Sequence, residues 1–190
     1  CVVSALSDRI CDGRAQTQDL CVKYGKKVLK QGTDYTVIYR NNTNVGVASA
    51  KVQGTGRYSG SVLKTFKIYP AAPVVKKIKA KKKGFTLKWK SDPTQVSGYT
   101  LQYARTAAFH SGVKSVKIRK AWEVKKTVSR LKAKKTYYVR ICAWKTIGSL
   151  TLRSAWSALW ECCRPRASTI WLFHSGMVLT MVDWIFSARS

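Results

Sequence analysis

The chain has 190 residues, of which 45% are hydrophobic and 11% are aromatic. This length allows one or two domains, and this content of apolar residues excludes an intrinsically disordered chain. The formal net charge of +28, from 36 lysines and arginines against 8 acidic residues, predicts attraction to polyanions but carries no information about the fold.

The stretch from residue 34 to residue 53 has the pattern of a β-hairpin. Tyr35 and Tyr39 fall on one face of an extended segment. The asparagines in residues 41–44 favour a turn, because asparagine tolerates left-handed backbone and hydrogen-bonds locally. A second alternating strand follows from about residue 45 to residue 53. These residues therefore predict antiparallel β-structure.

A second turn and a third strand complete the N-terminal region. The glycine-rich sequence GTGRYSG at residues 54–60 predicts a turn, and the strand predicted over residues 61–68 places Phe66 in the core. The sequence YPAAPVV at residues 69–75 contains two prolines and precedes a change in composition, so it predicts a linker. We therefore expect a first β module at residues 1–68.

Beyond the linker, residues 76–160 have the alternation of about seven short strands. The strand predicted in TYYVRICAW, residues 136–144, would turn Tyr137 inward and leave Arg140 and Trp144 outward. Strands of this number and spacing predict a β-sandwich. The core residues expected from the alternation are Trp89, Tyr99, Tyr103, Leu131 and Tyr137.

A set of aromatic, leucine and serine positions distinguishes residues 74–160. These positions are Trp89 in the second strand, Tyr99 with Tyr103 in the third, Leu131 with Tyr137, and SAWS at 154–157. The spacing of six residues between the leucine and the tyrosine resembles a tyrosine corner, in which the phenol hydrogen-bonds backward to the chain. Together the positions resemble a fibronectin type III domain, which implies a sandwich of two antiparallel sheets.

A second set of short motifs runs through the first 60 residues. It consists of Asp12-Gly13, Gly32-Thr33-Asp34-Tyr35, Asn41-Asn42 and GTGRYSG at 54–60. These motifs resemble a Tyr-Asp-Gly-type repeat module of large surface proteins of gut-type Gram-positive bacteria. The chain departs from that pattern at Cys11, where the repeat has tyrosine, and at Gln18, where it has proline. The resemblance implies an Ig-like surface-repeat module.

Residues 161–190 fit neither pattern. Lysine occurs 24 times before this segment and not within it. The apolar run Ile170–Phe186 is 17 residues long and contains His174 and Asp183, whereas a membrane-spanning helix needs about 20 mainly apolar residues. We interpret this atypical tail as the product of a frame error. The alternatives are an interfacial or transmembrane anchor and a short helix packed on the sandwich, and a membrane is a partner only if the tail is genuine.

The sequence supplies few groups for catalysis. The acidic residues of 74–160 are Asp92 and Glu123, which fall in predicted loops rather than in one cleft. His110 is the only histidine before the tail, and GTGRYSG precedes a strand rather than the helix that a phosphate loop needs. The six cysteines form no CxxC pair and no zinc-type spacing with histidine, so we expect mostly free thiols. We therefore expect a chain that is not an enzyme, with no cofactor and no metal site.

Lysine runs at turns and strand edges are the remaining candidate site. Lysine at a sheet edge discourages edge-to-edge aggregation, so a solvated structural surface is one interpretation and polyanion adhesion is another. We do not expect nucleic acid as a partner, because arginine forks and exposed aromatic residues are few. The outward Tyr138 and Trp144 on either side of Arg140 predict a cation–π ladder. The residues expected to contact a polyanion are Lys81, Lys82, Lys83, Lys134, Lys135 and Arg140.

These patterns predict an all-β chain of two tandem sandwich-like modules with an atypical C-terminal tail. The resemblances imply a spacer or adhesion fragment of a secreted or cell-wall-associated bacterial surface protein, whose partners are neighbouring domains of the same polypeptide. Because the chain begins with Cys1 rather than methionine, we expect an internal piece that has lost any signal peptide. Two alternatives remain: a module that binds anionic cell-wall polymer or carbohydrate, and accessory domains of a larger extracellular hydrolase.

Overall fold

A computed structural model describes residues 1–162, and over this range the prediction of an all-β fold is confirmed. The strands form four sheets, and the helical structure in this range is limited to one 3-10 turn at Pro93–Gln95. Within the same residues no helix is long and apolar enough to cross a membrane. The predicted frame error or anchor, including Ile170–Phe186, lies outside the described residues.

Seven strands in two sheets build the N-terminal part of the fold. They are β1 (Val2–Val3), β2 (Arg9–Ile10), β3 (Val22–Tyr24), β4 (Lys27–Val28), β5 (Tyr35–Arg40), β6 (Gly46–Gly54) and β7 (Ser61–Tyr69). One sheet has the order β1-β3-β4 and the other has the order β2-β7-β6-β5. All neighbours are antiparallel except β2 and β7, which run parallel.

The predicted hairpin at residues 34–53 is present. Strands β5 and β6 pair antiparallel, with Tyr35 opposite Gly54 at one end of the ladder. Asn41 adopts a φ of 55°, in the left-handed region that asparagine tolerates better than most residues. The carboxylate of Asp34 accepts a hydrogen bond from the Lys30 amide at 2.9 Å, so this acid stabilises its own turn.

Two tyrosines of the hairpin hold the irregular segment that crosses the first module. The hydroxyl of Tyr35 donates to the Leu20 carbonyl at 2.8 Å, and that of Tyr39 donates to the Gln18 carbonyl at 2.6 Å. The Gln18 amide donates back to the Tyr39 hydroxyl at 3.0 Å. A proline has no amide hydrogen, so the departure from the repeat pattern at Gln18 supplies a bond that proline would remove.

Eight strands in two sheets build the second part of the fold. They are β8 (Val74–Lys81), β9 (Gly84–Lys90), β10 (Gly98–Ala104), β11 (Lys114–Ile118), β12 (Lys125–Val128), β13 (Tyr137–Ile147), β14 (Leu150–Arg153) and β15 (Trp160–Cys162). One sheet has the order β12-β9-β8, and the other has the order β11-β10-β13-β14 with β15 also paired to β13. The two sheets enclose one apolar core, which makes this part a β-sandwich.

The end of this sandwich differs from the prediction. Residues 154–159 form no strand, although the predicted domain extends to residue 160, and the chain there binds β13 through two serines. The Ser154 and Ser157 hydroxyls accept hydrogen bonds from the Ala143 and Ile141 amides, at 2.9 and 3.1 Å. A true strand, β15, begins only at Trp160 and extends to Cys162, which is two residues past the predicted boundary.

Candidate functional site

The residues predicted to form the core lie in the two sandwiches, and they differ in depth. Tyr35, Phe66, Trp89 and Tyr99 are buried, with at most 3% of each residue exposed. The rings of Trp89 and Tyr99 meet edge to face, with centroids 5.2 Å apart. The other four are half-buried: Tyr39, Tyr103 and Leu131 pack against the cores, and the ring of Tyr137 meets that of Tyr103 edge to face, with centroids 6.1 Å apart.

A tyrosine corner closes one end of the second sandwich. The Tyr137 hydroxyl accepts a hydrogen bond from the Lys132 amide at 3.1 Å, which is the backward bond that the sequence spacing suggested. The Leu131 amide donates to the Lys83 carbonyl at 2.9 Å. The loop before β13 is therefore tied both to β13 and to the β8–β9 turn.

This corner brings together five of the six residues predicted to contact a polyanion. A cleft of about 130 Å³ is lined by Lys81, Lys82 and Lys83 on the β8–β9 turn and by Lys132, Lys134 and Lys135 on the opposing loop. Lys83 and Lys134 have left-handed backbone, with φ of 55° and 59°. We name this set of six lysines the end cleft. Lys132 belongs to it although the sequence prediction omitted it.

Arg140, the sixth predicted residue, does not join the end cleft, and its contact with a polyanion stays a prediction. Its guanidinium lies between two aromatic rings, 4.0 Å from the Phe109 centroid and 4.3 Å from the Trp156 centroid. Two of its nitrogens donate to Gln102 Oε1, at 3.1 and 2.8 Å. Burial lowers the pKa of this guanidinium. The side chain is therefore a structural cation within the β10–β13 sheet.

The predicted ladder of Tyr138, Arg140 and Trp144 is corrected. Trp144 is 8% exposed rather than outward in solvent, and its ring receives the ammonium of Lys117 at 4.9 Å. The aromatic partners of Arg140 come instead from the loop after β10 and from the SAWS segment. The alternation within β13 gives the direction of Arg140 but cannot reveal which distant loops cover that face.

The groups considered for catalysis are dispersed over the described residues. The carboxylate of Asp92 accepts hydrogen bonds from the amide and hydroxyl of Thr94, at 2.9 and 2.7 Å, and Glu123 binds Lys126 at 3.1 Å. Cys142 is buried, and burial raises the pKa of its thiol, which disfavours the nucleophilic thiolate. Within residues 1–162 no group of three histidine, cysteine or acidic side chains is arranged to hold a metal ion.

The contact between the two modules is a feature that the sequence analysis missed. The side chain of Gln95 accepts a hydrogen bond from the Val45 amide at 3.0 Å and donates to the side-chain oxygen Oδ1 of Asn44 at 2.9 Å. Leu152, on β14 of the second module, is 2% exposed and packs in one cluster with Phe66 and Ile68 of the first. These polar and apolar contacts lie side by side and form a packed junction.

The linker predicted at residues 69–75 takes part in this junction. Pro70 and Pro73 are fully buried, and β8 begins at Val74, inside the predicted linker. The Tyr69 carbonyl accepts a hydrogen bond from the Cys11 amide at 2.8 Å. The connection between the two modules is therefore short and largely packed. A short connection that contains proline is stiff.

Neither the protein-family models nor the curated proteins contain a match to this chain. Similar solved structures include one titled as a myokine structure, with a TM-score of 0.42 and 17% identity, covering 51% of this chain and 99% of that one. The FN1–FN3 domains of chicken CNTN1 have a TM-score of 0.44 and 16% identity, covering 64% of this chain and 43% of that one. A β-1,2-glucanase from Parabacteroides distasonis has a TM-score of 0.37 and 17% identity, covering 64% of this chain and 18% of that one. The chain thus spans less than half the length of the latter two.

Proposed function

We propose that the chain is a non-catalytic pair of β modules that acts as a structural or adhesion spacer in a secreted or cell-wall-associated bacterial surface protein. The observation that carries this proposal is the packed junction. A spacer holds other domains at a set distance and direction, so it needs modules that do not swing freely about their linker. Two contacts restrict this movement between the modules. Leu152 packs in the apolar cluster of the first module, and Gln95 is hydrogen-bonded to Asn44 and Val45.

The chemistry of the described surface also favours a spacer over an enzyme. The clefts of the second module are lined by lysines, and two of its acids, Asp92 and Glu123, are bound to neighbouring residues. A hydrolase needs an acid and a base that converge on one cleft. The surface location is supported by the repeat-like motifs of the first 60 residues.

Small-angle X-ray scattering of the chain tests the stiffness of the junction. We expect one orientation of the two modules to fit the scattering of the parent, and a broader set of orientations for Leu152→Asp. The matched control is Leu63→Asp. Leu63 is 65% exposed on β7, so this substitution should leave the scattering profile unchanged. A parent profile that only a broad ensemble can fit would contradict a spacer function.

Two further measurements address location and activity. Antibodies against the chain should label intact cells of the source organism, and labelling that requires lysis would contradict a surface protein. The purified chain should release no sugar from isolated cell walls. Release of sugar would contradict the non-catalytic assignment and would favour part of a hydrolase.

A further inference from the structure

The outer surface of the β8–β9–β12 sheet carries a concentrated positive charge that lies apart from the junction. Five exposed lysines border a shallow depression of about 340 Å³ around Thr86, and we name them the lysine face: Lys77, Lys79, Lys81, Lys88 and Lys125. The strand register places Lys88 directly opposite Lys77 on one side and Lys125 on the other. Three like charges therefore share one row across the sheet, and such a row is destabilising.

Asp92 and Glu123 do not neutralise the lysine face. Residues 74–160 contain 22 lysines and arginines and two acids. Glu123 binds Lys126, which is not a member of the face, and Asp92 caps the 3-10 turn at Pro93–Gln95. The charge of the face is therefore balanced by solvent ions or by an external anion.

Protection against aggregation explains only part of this surface. Lysine on an edge strand blocks pairing with another sheet, and that argument covers Lys77 on β8 and Lys125 on β12. Lys88 lies on β9, the central strand of the sheet, whose two edges are already paired. A lysine at this position repels its neighbours without protecting an edge, so edge protection does not account for Lys88. A bound anion would offset the repulsion within the row.

The extent of the charged surface indicates a polymer rather than a small ion. Lys81 borders both the lysine face and the end cleft, so the two surfaces are continuous. The path from Lys77 to Lys81 along β8 is about 13 Å long, at about 3.3 Å per residue, and the lysines of the β8–β9 turn continue it into the end cleft. Along a strand the lysines of one face are about 6.6 Å apart, and between strands they are about 4.8 Å apart.

The side chains of the face also limit the class of polymer. Its charged members are all lysines, which act as point charges without the planar fork of arginine. The depression is completed by Thr86, whose hydroxyl lies 2.9 Å from that of Thr127, and it contains no aromatic ring. Single-stranded nucleic acids bind largely by stacking on aromatic rings, so this surface suits an unbranched polymer with regularly spaced single charges.

We propose that the lysine face binds a linear anionic polymer along β8 toward the end cleft, with one negative charge per roughly 5 to 7 Å of chain, to match the lysine spacing. Phosphodiester and uronate polymers share this chemistry. Binding at the lysine face does not depend on the junction, so this proposal and the spacer function fail or succeed separately.

Binding titrations with poly(glycerol phosphate) and polygalacturonate of matched length test the proposal. The triple variant Lys77→Gln, Lys88→Gln, Lys125→Gln should weaken binding about tenfold at about 50 mM salt and lower the slope of log affinity against log salt by about 2 to 3. The control Lys51→Gln, Lys114→Gln, Lys120→Gln removes the same charge from exposed sites outside the face and should weaken binding less than about twofold. Melting curves verify that both variants are folded.

The outcomes separate the proposal from its rivals. Binding of either polymer through the face supports it, and the tighter polymer identifies the preferred anion. Equal losses in the two triple variants would overturn it, because net charge alone would then explain the binding. Tighter binding of oligothymidylate or of phosphatidylglycerol vesicles through the same three lysines would also overturn it, since the occupant would be a nucleic acid or a membrane.

Discussion

The two outer faces of the second sandwich differ in how their positively charged side chains are surrounded. On the β10–β13 sheet, Arg140 is held between Phe109 and Trp156 and bonded to Gln102. On the β8–β9–β12 sheet, Lys88 stands in a row with two other lysines and faces solvent. One cation is part of the packing, and the other is repelled by its neighbours.

This difference shows why net charge says little about function. The formal charge counts Arg140 and Lys88 equally, although the first has its charge stabilised by aromatic faces and an amide oxygen. The second is available to an external anion. Substitutions can separate the two kinds of cation, and the following predictions are ordered from the largest expected effect to the smallest.

The largest effect is expected between the two faces, at the core that both sheets share. Trp89 follows Lys88 on β9 but turns inward and is 3% exposed. Trp89→Ala should lower the free energy of unfolding by about 3 to 5 kcal/mol, because a large cavity would remain. Trp122→Ala is the control, since Trp122 is 72% exposed, and its cost should stay within about 0.5 kcal/mol. Denaturant unfolding measures both, and equal costs would show that Trp89 is not a core residue.

Local sequence patterns predicted those structural features that depend on a single strand or a single turn. Alternation was sufficient to place Trp89 inward, and the spacing of Leu131 and Tyr137 was sufficient for the tyrosine corner. The aromatic partners of Arg140 were not predicted, because they are a loop residue and a residue of the SAWS segment. Phe109 reaches the guanidinium with a φ of 53°, a conformation that is uncommon outside glycine and that no sequence pattern indicated.

The junction and all of the lysine face except Lys81 were missed for a related reason. The row of Lys77, Lys88 and Lys125 depends on strand order, on register and on a β-bulge between Val75 and Lys77. The Gln95–Asn44 bond joins residues 51 positions apart. A single sequence shows which faces its residues occupy, but it does not show which faces meet.

The next largest effect on stability is expected at Arg140, whose guanidinium is stacked between two aromatic rings. Arg140→Met retains an unbranched chain between Phe109 and Trp156 but removes the charge, so it should lower the free energy of unfolding by about 2 kcal/mol. Arg119→Met is the control, because Arg119 is exposed directly after β11. Chemical denaturation of both variants measures the difference. If the two variants unfold alike, Arg140 is as dispensable as a surface cation and the contrast between the faces disappears.

A smaller effect is expected where the end cleft meets the core. Tyr137→Phe keeps the ring but removes the acceptor for the Lys132 amide, so the free energy of unfolding should fall by about 1 kcal/mol. Tyr24→Phe is the matched control, because Tyr24 is 60% exposed and its variant should differ little from the parent. Thermal unfolding followed by circular dichroism compares the two. An unchanged melting temperature for Tyr137→Phe would mean that the corner does not anchor the lysine loop.

The smallest effect has the opposite sign. Lys88→Gln removes the middle charge of the row, so it should raise the free energy of unfolding by about 0.2 to 1 kcal/mol. The gain should shrink at about 1 M salt, where the screening length falls to about 3 Å. Lys114→Gln should leave stability nearly unchanged, because Lys114 lies opposite Tyr103 rather than another lysine. A stabilised Lys88→Gln that also binds the anionic polymers less tightly would mean that Lys88 is retained for binding at the expense of stability. Loss of stability in this variant would show instead that the row is not repulsive, and the lysine face would lose its main physical argument.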